Sequence, residues 1–274
     1  MKSYWTILRS HRRPIRFLAA NLLVTTGACR IFSIRQRGYR LKFHPSNLAT
    51  QLWIDPRQRV DSLVFFQDYL KSGDVVVDVG ANIGDTVLTA ALKVGATGHV
   101  VGIEAHPRTF RFLEENVRMN GVGNITVVNS AVGASSGTVR FSDDRRDDMN
   151  RIDGGDLEVS VAQLDSLVRN PGPIALLKID VEGYEKFVLD GASNVLSRTA
   201  CVHIEVSALH FRRFGYSTQD VLGRLHSEGF QLFRLVEPNG LAAVTAAFDP
   251  ESFENVVALR DVSTFLARTG WSLP

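Results

Sequence analysis

The sequence predicts an α/β fold, a doubly wound and mostly parallel sheet of seven strands with an N-terminal helix and hairpin extension. Residues 75–79 (VVVDV) form a short β-branched run that stops at Gly80, as expected of a strand buried on both faces. Strand-like and helix-like segments alternate after it, which is the pattern of a parallel sheet. The 274 residues suffice for one such domain, expected over residues 73–274, and an extension or cap over residues 1–72.

The composition is that of an ordinary globular protein, with 45% hydrophobic and 22% charged residues. The net charge of +2 is the difference between 31 basic and 29 acidic residues, so it indicates no nucleic-acid partner. Cys29 and Cys201 lie far apart without a C-x-x-C pair or a Cys/His array, which argues against a disulfide framework and a zinc site. We therefore expect a cytoplasmic protein.

Residues 1–32 begin basic and turn apolar between residues 17 and 24. This segment superficially resembles a secretory signal peptide. Its apolar run is interrupted, however, and falls well below the ~20 residues that span a bilayer. We expect a helix packed on the domain. Two alternatives stay open: an export signal, and a basic interfacial helix in peripheral contact with a membrane, which would suit Trp5, Arg12, Arg13 and Arg16.

Further along the chain, alternating residues on either side of Arg37-Gly38 predict a hairpin of segments 31–36 and 39–43. Helical apolar spacing, with stop signals such as Lys71-Ser72-Gly73, predicts helices over residues 60–70, 85–94, 107–120, 185–196 and 218–227. The predicted strands of the sheet are residues 75–79, 99–104, 125–129, 175–180, 201–206, 230–235 and 255–259.

The alternation stops between residues 133 and 164. Segments 133–141 and 157–164 look extended and flank a polar loop, residues 142–156, that has almost no apolar residue. Such a loop is either a solvent-facing connection or a substrate-facing lid, and its length does not decide between them.

The loop after the first strand carries the first functional signal. Residues 74–85 read DVVVDVGANIGD, in which Gly80 and Gly84 allow backbone torsions and close approaches that a Cβ would resist. A dinucleotide fingerprint needs the spacing G-x-G-x-x-G. Here the spacing is Asp78-x-Gly80-x-Asn82-x-Gly84, which argues against a nicotinamide dinucleotide.

The ends of the next two strands carry polar residues, and ligands of open α/β sheets bind beyond the carboxyl ends of the strands. Glu104 follows the glycine loop by about 20 residues, the distance at which an acidic side chain meets ribose hydroxyls in related folds. The structural alternative is a surface acid before the helix at residue 107. His106 is expected on the same rim. Residues 129–131, Asn-Ser-Ala, are positioned to read an adenine edge.

The densest cluster lies in residues 176–185, LLKIDVEGYE. The period-two geometry of a strand places Lys178 and Asp180 on one face, with Glu182 just past the strand end. In the next strand His203 and Glu205 share a face. Three carboxylates and a lysine at adjacent strand ends predict perturbed pKa values and a functional site. The structural alternatives are a stabilising pair between Lys178 and a carboxylate, and a purely structural histidine.

Together these motifs resemble the FkbM-type methyltransferases, within the Rossmann-like class I fold that uses S-adenosylmethionine. The resemblance covers residues 73 to 235 and is carried by DVVVDVGANIGD, IEAHP, VNSAVG, QLDSL, LLKIDVEGYE and IEVS. It implies S-adenosylmethionine as the cofactor and a hydroxyl of a sugar, glycoconjugate or related natural product as the methyl acceptor. The acceptor is thus expected to be a small molecule or glycan.

The resemblance also implies roles for individual residues. The methionine end of the cofactor would be held by Asp78, Gly80, Asn82 and Gly84. The ribose would be held by Glu104, with His106 beside it, and the adenine by Asn129 to Ala131. Asp180 and Glu182 would lie beside the methyl group.

An unactivated hydroxyl must also lose its proton as the new bond forms. We expect Asp180, Glu182 or Glu205 to be the base, with Lys178 tuning its neighbours. No residue is assigned to a metal, although the oxygens of Asp180 and Glu205 would suit Mg²⁺. Two rival functions stay open, a nicotinamide-dependent oxidoreductase and a degenerate methyltransferase fold that serves as a binding scaffold.

Overall fold

The computed structural model describes residues 13–142, 155–169, 172–236 and 239–273. Its N-terminal part confirms both a helix and a hairpin, with β1 and β2 paired antiparallel. The elements of this part are α1 (Pro14–Thr26), a 3-10 helix (Ala28–Ile31), β1 (Ser33–Arg35), β2 (Arg40–Lys42), α2 (Asn47–Ile54) and α3 (Val60–Tyr69).

Strands and helices then alternate as predicted. They are β3 (Val75–Val79), α4 (Asp85–Val94), β4 (His99–Glu104), α5 (Pro107–Asn120), β5 (Ile125–Asn129), β6 (Ala131–Val132), β7 (Gly137–Phe141), β8 (Leu157–Ala162), α6 (Leu164–Leu167), β9 (Ile174–Ile179), α7 (Glu185–Asp190), α8 (Ser193–Ser197), β10 (Thr199–Val206), α9 (Ala208–Arg213), α10 (Thr218–Ser227), β11 (Gln231–Val236), β12 (Gly240–Ala243), β13 (Glu254–Leu259) and α11 (Val262–Thr269).

The central sheet has the strand order β12-β11-β13-β10-β9-β3-β4-β5 among the described residues. The five strands from β10 to β5 are parallel neighbours, while β13 runs antiparallel between β10 and β11. This confirms the mostly parallel α/β sheet. The sheet has eight strands rather than the predicted seven, because β12 adds to the edge at β11. The four residues of β12, Gly-Leu-Ala-Ala, are too short a run to show an alternating pattern.

Both faces of the sheet are buried, which explains why four of the five residues of β3 are valines. Val77 and Val79 point into one core, where they meet β9, β10 and α7. Val76 points into the other, which contains Phe65 of α3 and Val87 of α4. Because β10, β9, β3, β4 and β5 run parallel, their carboxyl ends lie along one edge of the sheet, and the loops at that edge form the candidate site.

The N-terminal elements pack directly on the loop that follows β3. Leu41 and Phe43 from the hairpin and Leu52 from α2 share a buried cluster with Ile83 and Leu88 of the loop and α4. Ser46 caps α2, since its hydroxyl accepts the Ala49 N–H at 3.1 Å. The division of the chain after residue 72 stays a prediction. No helix within the described residues is long and apolar enough to span a bilayer.

Two predictions need correction. The helix expected over residues 185–196 is split into α7 and α8 at Gly191, a residue with low helix propensity. A Cβ there would lie 2.1 Å from the Gly133 carbonyl oxygen, so the close approach requires glycine. The extended segment expected to reach residue 164 ends at Ala162 and turns into α6, while β6, β8 and β7 form a separate small sheet. Most of the polar loop of residues 142–156 lies outside the described residues, so the lid remains a prediction.

Candidate active site

The loop between β3 and α4 is shaped by close backbone packing. Gly80, Asn82 and Gly84 all have positive φ, at 84°, 48° and 93°. A Cβ on Gly80 would lie 1.8 Å from the carbonyl oxygen of Asp180, so only glycine allows the loop to rest on the end of β9. A Cβ on Gly84 would lie 2.7 Å from Leu113. The loop thus brings the ends of β3 and β9 together.

Beneath this loop lies a buried lysine between two carboxylates. Lys178 Nζ donates to Asp78 Oδ1 at 3.1 Å and lies 3.2 Å from Asp180 Oδ2. The other oxygen of Asp78 accepts the Thr86 hydroxyl at 2.6 Å. Burial alone would lower the pKa of Lys178, but Asp180 and Asp78 outweigh it and raise that pKa. Burial likewise opposes the charge on Asp180, and Lys178 outweighs it to lower the pKa of that carboxyl.

Glu104 ties the glycine loop to the start of α5. Its Oε2 accepts the Asn82 N–H and its Oε1 accepts the His106 N–H, both at 2.9 Å. Glu104 also lines the cavity, and a carboxylate can accept more than two hydrogen bonds. The Nδ1 atom of His106 caps α5 by accepting the Arg108 N–H at 3.2 Å.

A second acidic group lies at the ends of β9 and β10. Asp180, Glu182 and Glu205 are each half-buried and each offer a carboxylate oxygen within 4.8 Å of the others. Glu182 adopts a left-handed backbone with φ of 55°, and its Oε2 lies 3.7 Å from His210 Nδ1. Burial, followed by the charges of Asp180 and Glu182, raises the pKa of Glu205 to about 9. At neutral pH Glu205 therefore keeps its proton, while Asp180 is ionised.

These groups share one cavity of about 330 Å³, a size typical of small-molecule sites. It brings together nine of the predicted site residues: Gly80, Asn82, Glu104, His106, Ala131, Lys178, Asp180, Glu182 and Glu205.

Three predicted residues do not line this cavity. Asp78 lies beneath the loop on Lys178 and Thr86, and Gly84 starts α4. Asn129 turns its amide back to donate to the carbonyl oxygens of Glu104 and Ala105, at 2.8 and 3.0 Å. These three residues therefore lie outside the cavity wall, and their roles at the cofactor stay predictions.

The cavity also has walls that sequence reasoning missed. Asn47 and Gln51 come from α2, and Arg59 precedes α3. Arg59 Nε lies 3.6 Å from Asp85 Oδ2, and burial raises the pKa of Asp85. No motif in residues 1–72 pointed to these positions. Tyr184, which also lines the cavity, lay within the LLKIDVEGYE segment and could have been noticed there.

The arrangement fits a nucleoside with a cationic end. The loop between β3 and α4 leaves no room for a Cβ at Gly80, and Glu104 presents a carboxylate suited to a diol. Asp180 adds a negative charge to the wall of the same cavity. Fold and site together are those of a class I methyltransferase that uses S-adenosylmethionine.

Comparison with known proteins identifies the family. Residues 78–232, more than half of the chain, match the methyltransferase FkbM domain, and the chain belongs to this family. The hexuronic acid methyltransferase AglP of Haloferax volcanii is 29% identical over 196 residues, which cover 68% of this chain and 79% of that protein. The protein is therefore an S-adenosylmethionine-dependent methyltransferase, as the motifs implied, rather than a nicotinamide-dependent oxidoreductase.

Two further comparisons are more limited. The protein-L-isoaspartate O-methyltransferase of Caenorhabditis elegans is 35% identical over 63 residues, which cover 23% of this chain and 28% of that protein. The crystal structure of the methyltransferase FkbM from Methylobacillus flagellatus aligns with a TM-score of 0.46 and 16% identity. That alignment covers 76% of this chain and 52% of the other.

Proposed function

We propose that this protein methylates a hydroxyl oxygen of a sugar, a glycoconjugate or a related natural product. The observation that carries the proposal is the single cavity that joins Glu104 and the glycine loop to the carboxylates of Asp180, Glu182 and Glu205. The relative that methylates hexuronic acid supports a sugar acceptor.

In the donor half, the residues of the cavity wall hold the cofactor. Glu104 accepts the ribose hydroxyls with its carboxylate oxygens, and Ala131 borders the adenine with His106 nearby. The backbone from Gly80 to Asn82 receives the methionine end. S-adenosylmethionine supplies a methyl group that is already activated by its sulfonium, so the protein needs no separate activating group on the donor side.

In the acceptor half, the protein must orient a hydroxyl and remove its proton. Orientation can supply ~7 to 11 kcal/mol of the barrier in favourable cases, and a positioned base typically contributes ~10² to 10⁴ in rate. We assign the base to Asp180, because Lys178 keeps it ionised and about a third of its side chain faces the cavity. Glu205, protonated at neutral pH, donates a hydrogen bond to an acceptor oxygen. Glu182 completes the wall.

Arg59 supports an acidic sugar as the acceptor. It adds a guanidinium to the wall that also holds Asn47 and Gln51, and a guanidinium binds carboxylates in a forked geometry. The oxygens of Asp180, Glu182 and Glu205 also have the chemistry of a Mg²⁺ site. A cation would compete with Lys178 for Asp180 and would deprotonate Glu205, so it leads to a different mechanism.

The test is methyl transfer from labelled S-adenosylmethionine to a panel of uronic acids, neutral glycosides and lipid-linked sugars, with mass spectrometry of the products. Asp180→Asn should keep cofactor affinity and lose turnover by about 10² or more, whereas Glu104→Gln should weaken cofactor binding. Glu114→Gln, an exposed change on α5, is the control for the loss of one charge. Full turnover by Asp180→Asn would remove it as the base, and loss of activity after chelation would favour the metal mechanism.

A further inference from the structure

The helix α1 is apolar on two opposite faces. Its inner face packs Ala20, fully buried, and parts of Phe17 and Val24 into the cluster beneath the hairpin. Its outer face carries Ile15, Leu18 and Leu22, with exposed fractions of 82%, 41% and 65%. At 3.6 residues per turn these three lie within about 60° of one another, opposite Ala20 and Val24. The domain covers only the inner of these two apolar faces, so the outer face is expected to have a partner of its own.

The apolar surface continues past the end of α1. The 3-10 helix that follows buries Cys29 in the same cluster and leaves Ile31 81% exposed and Phe32 40% exposed. Five large apolar side chains are thus exposed within 18 residues of one another. Single exposed hydrophobic residues need no explanation, but a contiguous group marks an interaction site.

The charges of this region are strongly one-sided. Residues 1–54 contain ten lysines and arginines and no aspartate or glutamate, which leaves 21 basic and 29 acidic residues for the rest of the chain. The overall net charge of +2 therefore hides a basic N-terminal segment on an acidic domain. Charge asymmetry of this kind indicates a partner with negative charge.

The hairpin concentrates this charge where it is unfavourable for folding. Arg35 and Arg40 are directly opposite in the register of β1 and β2, and both are exposed. Like charges at opposite positions destabilise a strand pair. Arg30 and Arg37 are exposed nearby, and none of these four arginines forms an ion pair with another described residue. The cluster is best explained by an anionic surface outside the chain.

We propose that this N-terminal face docks on an anionic phospholipid bilayer. The face consists of the apolar residues Ile15, Leu18, Leu22, Ile31 and Phe32 and the basic residues Arg30, Arg35, Arg37 and Arg40. The apolar side chains enter the boundary between headgroups and acyl chains, and the arginines bind lipid phosphates. A second copy of the chain would bring like charges together, and nucleic acid would offer the apolar residues little. A bilayer offers acyl chains to the apolar side chains and phosphates to the arginines.

Docking would also orient the catalytic cavity. The chain runs from the hairpin into α2, whose Asn47 and Gln51 line that cavity. An acceptor held at the membrane would then enter the cavity from the side lined by Asn47 and Gln51. Membrane binding itself does not depend on the proposed reaction, so the two can be tested separately.

The test is co-sedimentation of the full chain with phosphatidylcholine vesicles, with and without phosphatidylglycerol, at increasing salt. Wild type should bind the phosphatidylglycerol vesicles and lose affinity with salt, because ions screen the arginines. Leu18→Ser/Leu22→Ser should weaken binding about tenfold or more. Arg35→Ser/Arg37→Ser should weaken it about fivefold for each arginine removed.

The matched controls change similar side chains outside the face. Leu273→Ser removes an equally exposed leucine, and Arg169→Ser/Arg213→Ser removes two exposed arginines. Both should bind vesicles as wild type does, and circular dichroism should show every variant folded. Wild type that does not bind, or a Leu18/Leu22 variant that binds as wild type, would overturn the proposal. So would a dimer that dissociates on the Leu18/Leu22 change without any vesicle binding, because the face would then join two copies of the chain.

Discussion

Changing Asp78 to asparagine should destabilise the fold far more than the same change at Asp180, although both carboxylates contact Lys178. Asp78 is 2% exposed and is held by Lys178 at 3.1 Å and by Thr86 at 2.6 Å. Asp180 is 32% exposed, so water takes over part of its interaction with the lysine. Removing one member of a fully buried pair costs about 3–5 kcal/mol, whereas pairs that reach solvent are worth about 1 kcal/mol or less.

We therefore expect Asp78→Asn to lower the free energy of unfolding by about 3–5 kcal/mol and Asp180→Asn to lower it by about 1 kcal/mol. Urea unfolding followed by circular dichroism measures both. Asp156→Asn, which removes an exposed partner of Arg140, is the control and should change little. The loss of methyl transfer should follow the opposite order. Asp180→Asn should stay folded and lose its turnover, whereas folded Asp78→Asn should lose less. Equal destabilisation by Asp78→Asn and Asp180→Asn would refute the assignment of structure to one carboxylate and chemistry to the other.

Three further predictions concern pH, the glycine loop and the acceptor. Burial, then neighbouring carboxylates, raises the pKa of Glu205 from 4.5 to about 9. Its protonation therefore contributes fully to stability below pH 4.5, and this contribution is lost as the pH rises through 9. Glu205→Gln should consequently unfold at higher urea than wild type at pH 9 but not at pH 4.5. Gly80→Ala should abolish cofactor binding measured by calorimetry, because its Cβ meets the Asp180 carbonyl, whereas Gly121→Ala, with positive φ but open space, should lose only about 1–2 kcal/mol of stability. Arg59→Met should raise KM for acidic sugars more than for neutral ones; an equal rise would argue against a carboxylate contact.

Local patterns in the sequence were enough to predict most of the sheet and many of the residues that line the cavity. The valines of β3 predicted a strand buried on both faces, and period two placed Lys178 and Asp180 on one face, where their side chains form an ion pair. The histidine expected to be structural, His203, is buried against Phe65, and burial lowers its pKa to about 4. The strand and the shared face depend on residues close together in sequence, which is why they could be predicted, whereas the contact of His203 with Phe65 joins residues far apart in the sequence.

The position of Asp78 could not be predicted in this way. Its motif placed it with the cofactor loop, but its side chain belongs to the register of β3 against β9, in which Asp78 pairs with Lys178 100 residues away. Asn129 shows the same limitation, because its partners are backbone carbonyls on the neighbouring strand connection. Long-range register decides which polar residue at a strand end faces the ligand and which one supports the loop.

The cavity wall from the N-terminal part of the chain shows this limitation most clearly. Asn47, Gln51 and Arg59 line the cavity but precede the residues that match the FkbM domain, which begin at residue 78. The proposed donor half is built from motifs inside the matched region. This wall instead rests on packing of Leu52 on Ile83 and Leu88 and on polar contacts such as Arg59 with Asp85. Because this wall lies outside the residues that match the family, we infer that acceptor choice depends on it. The same segment carries the proposed membrane surface, so one N-terminal segment would both position the enzyme and select what enters it.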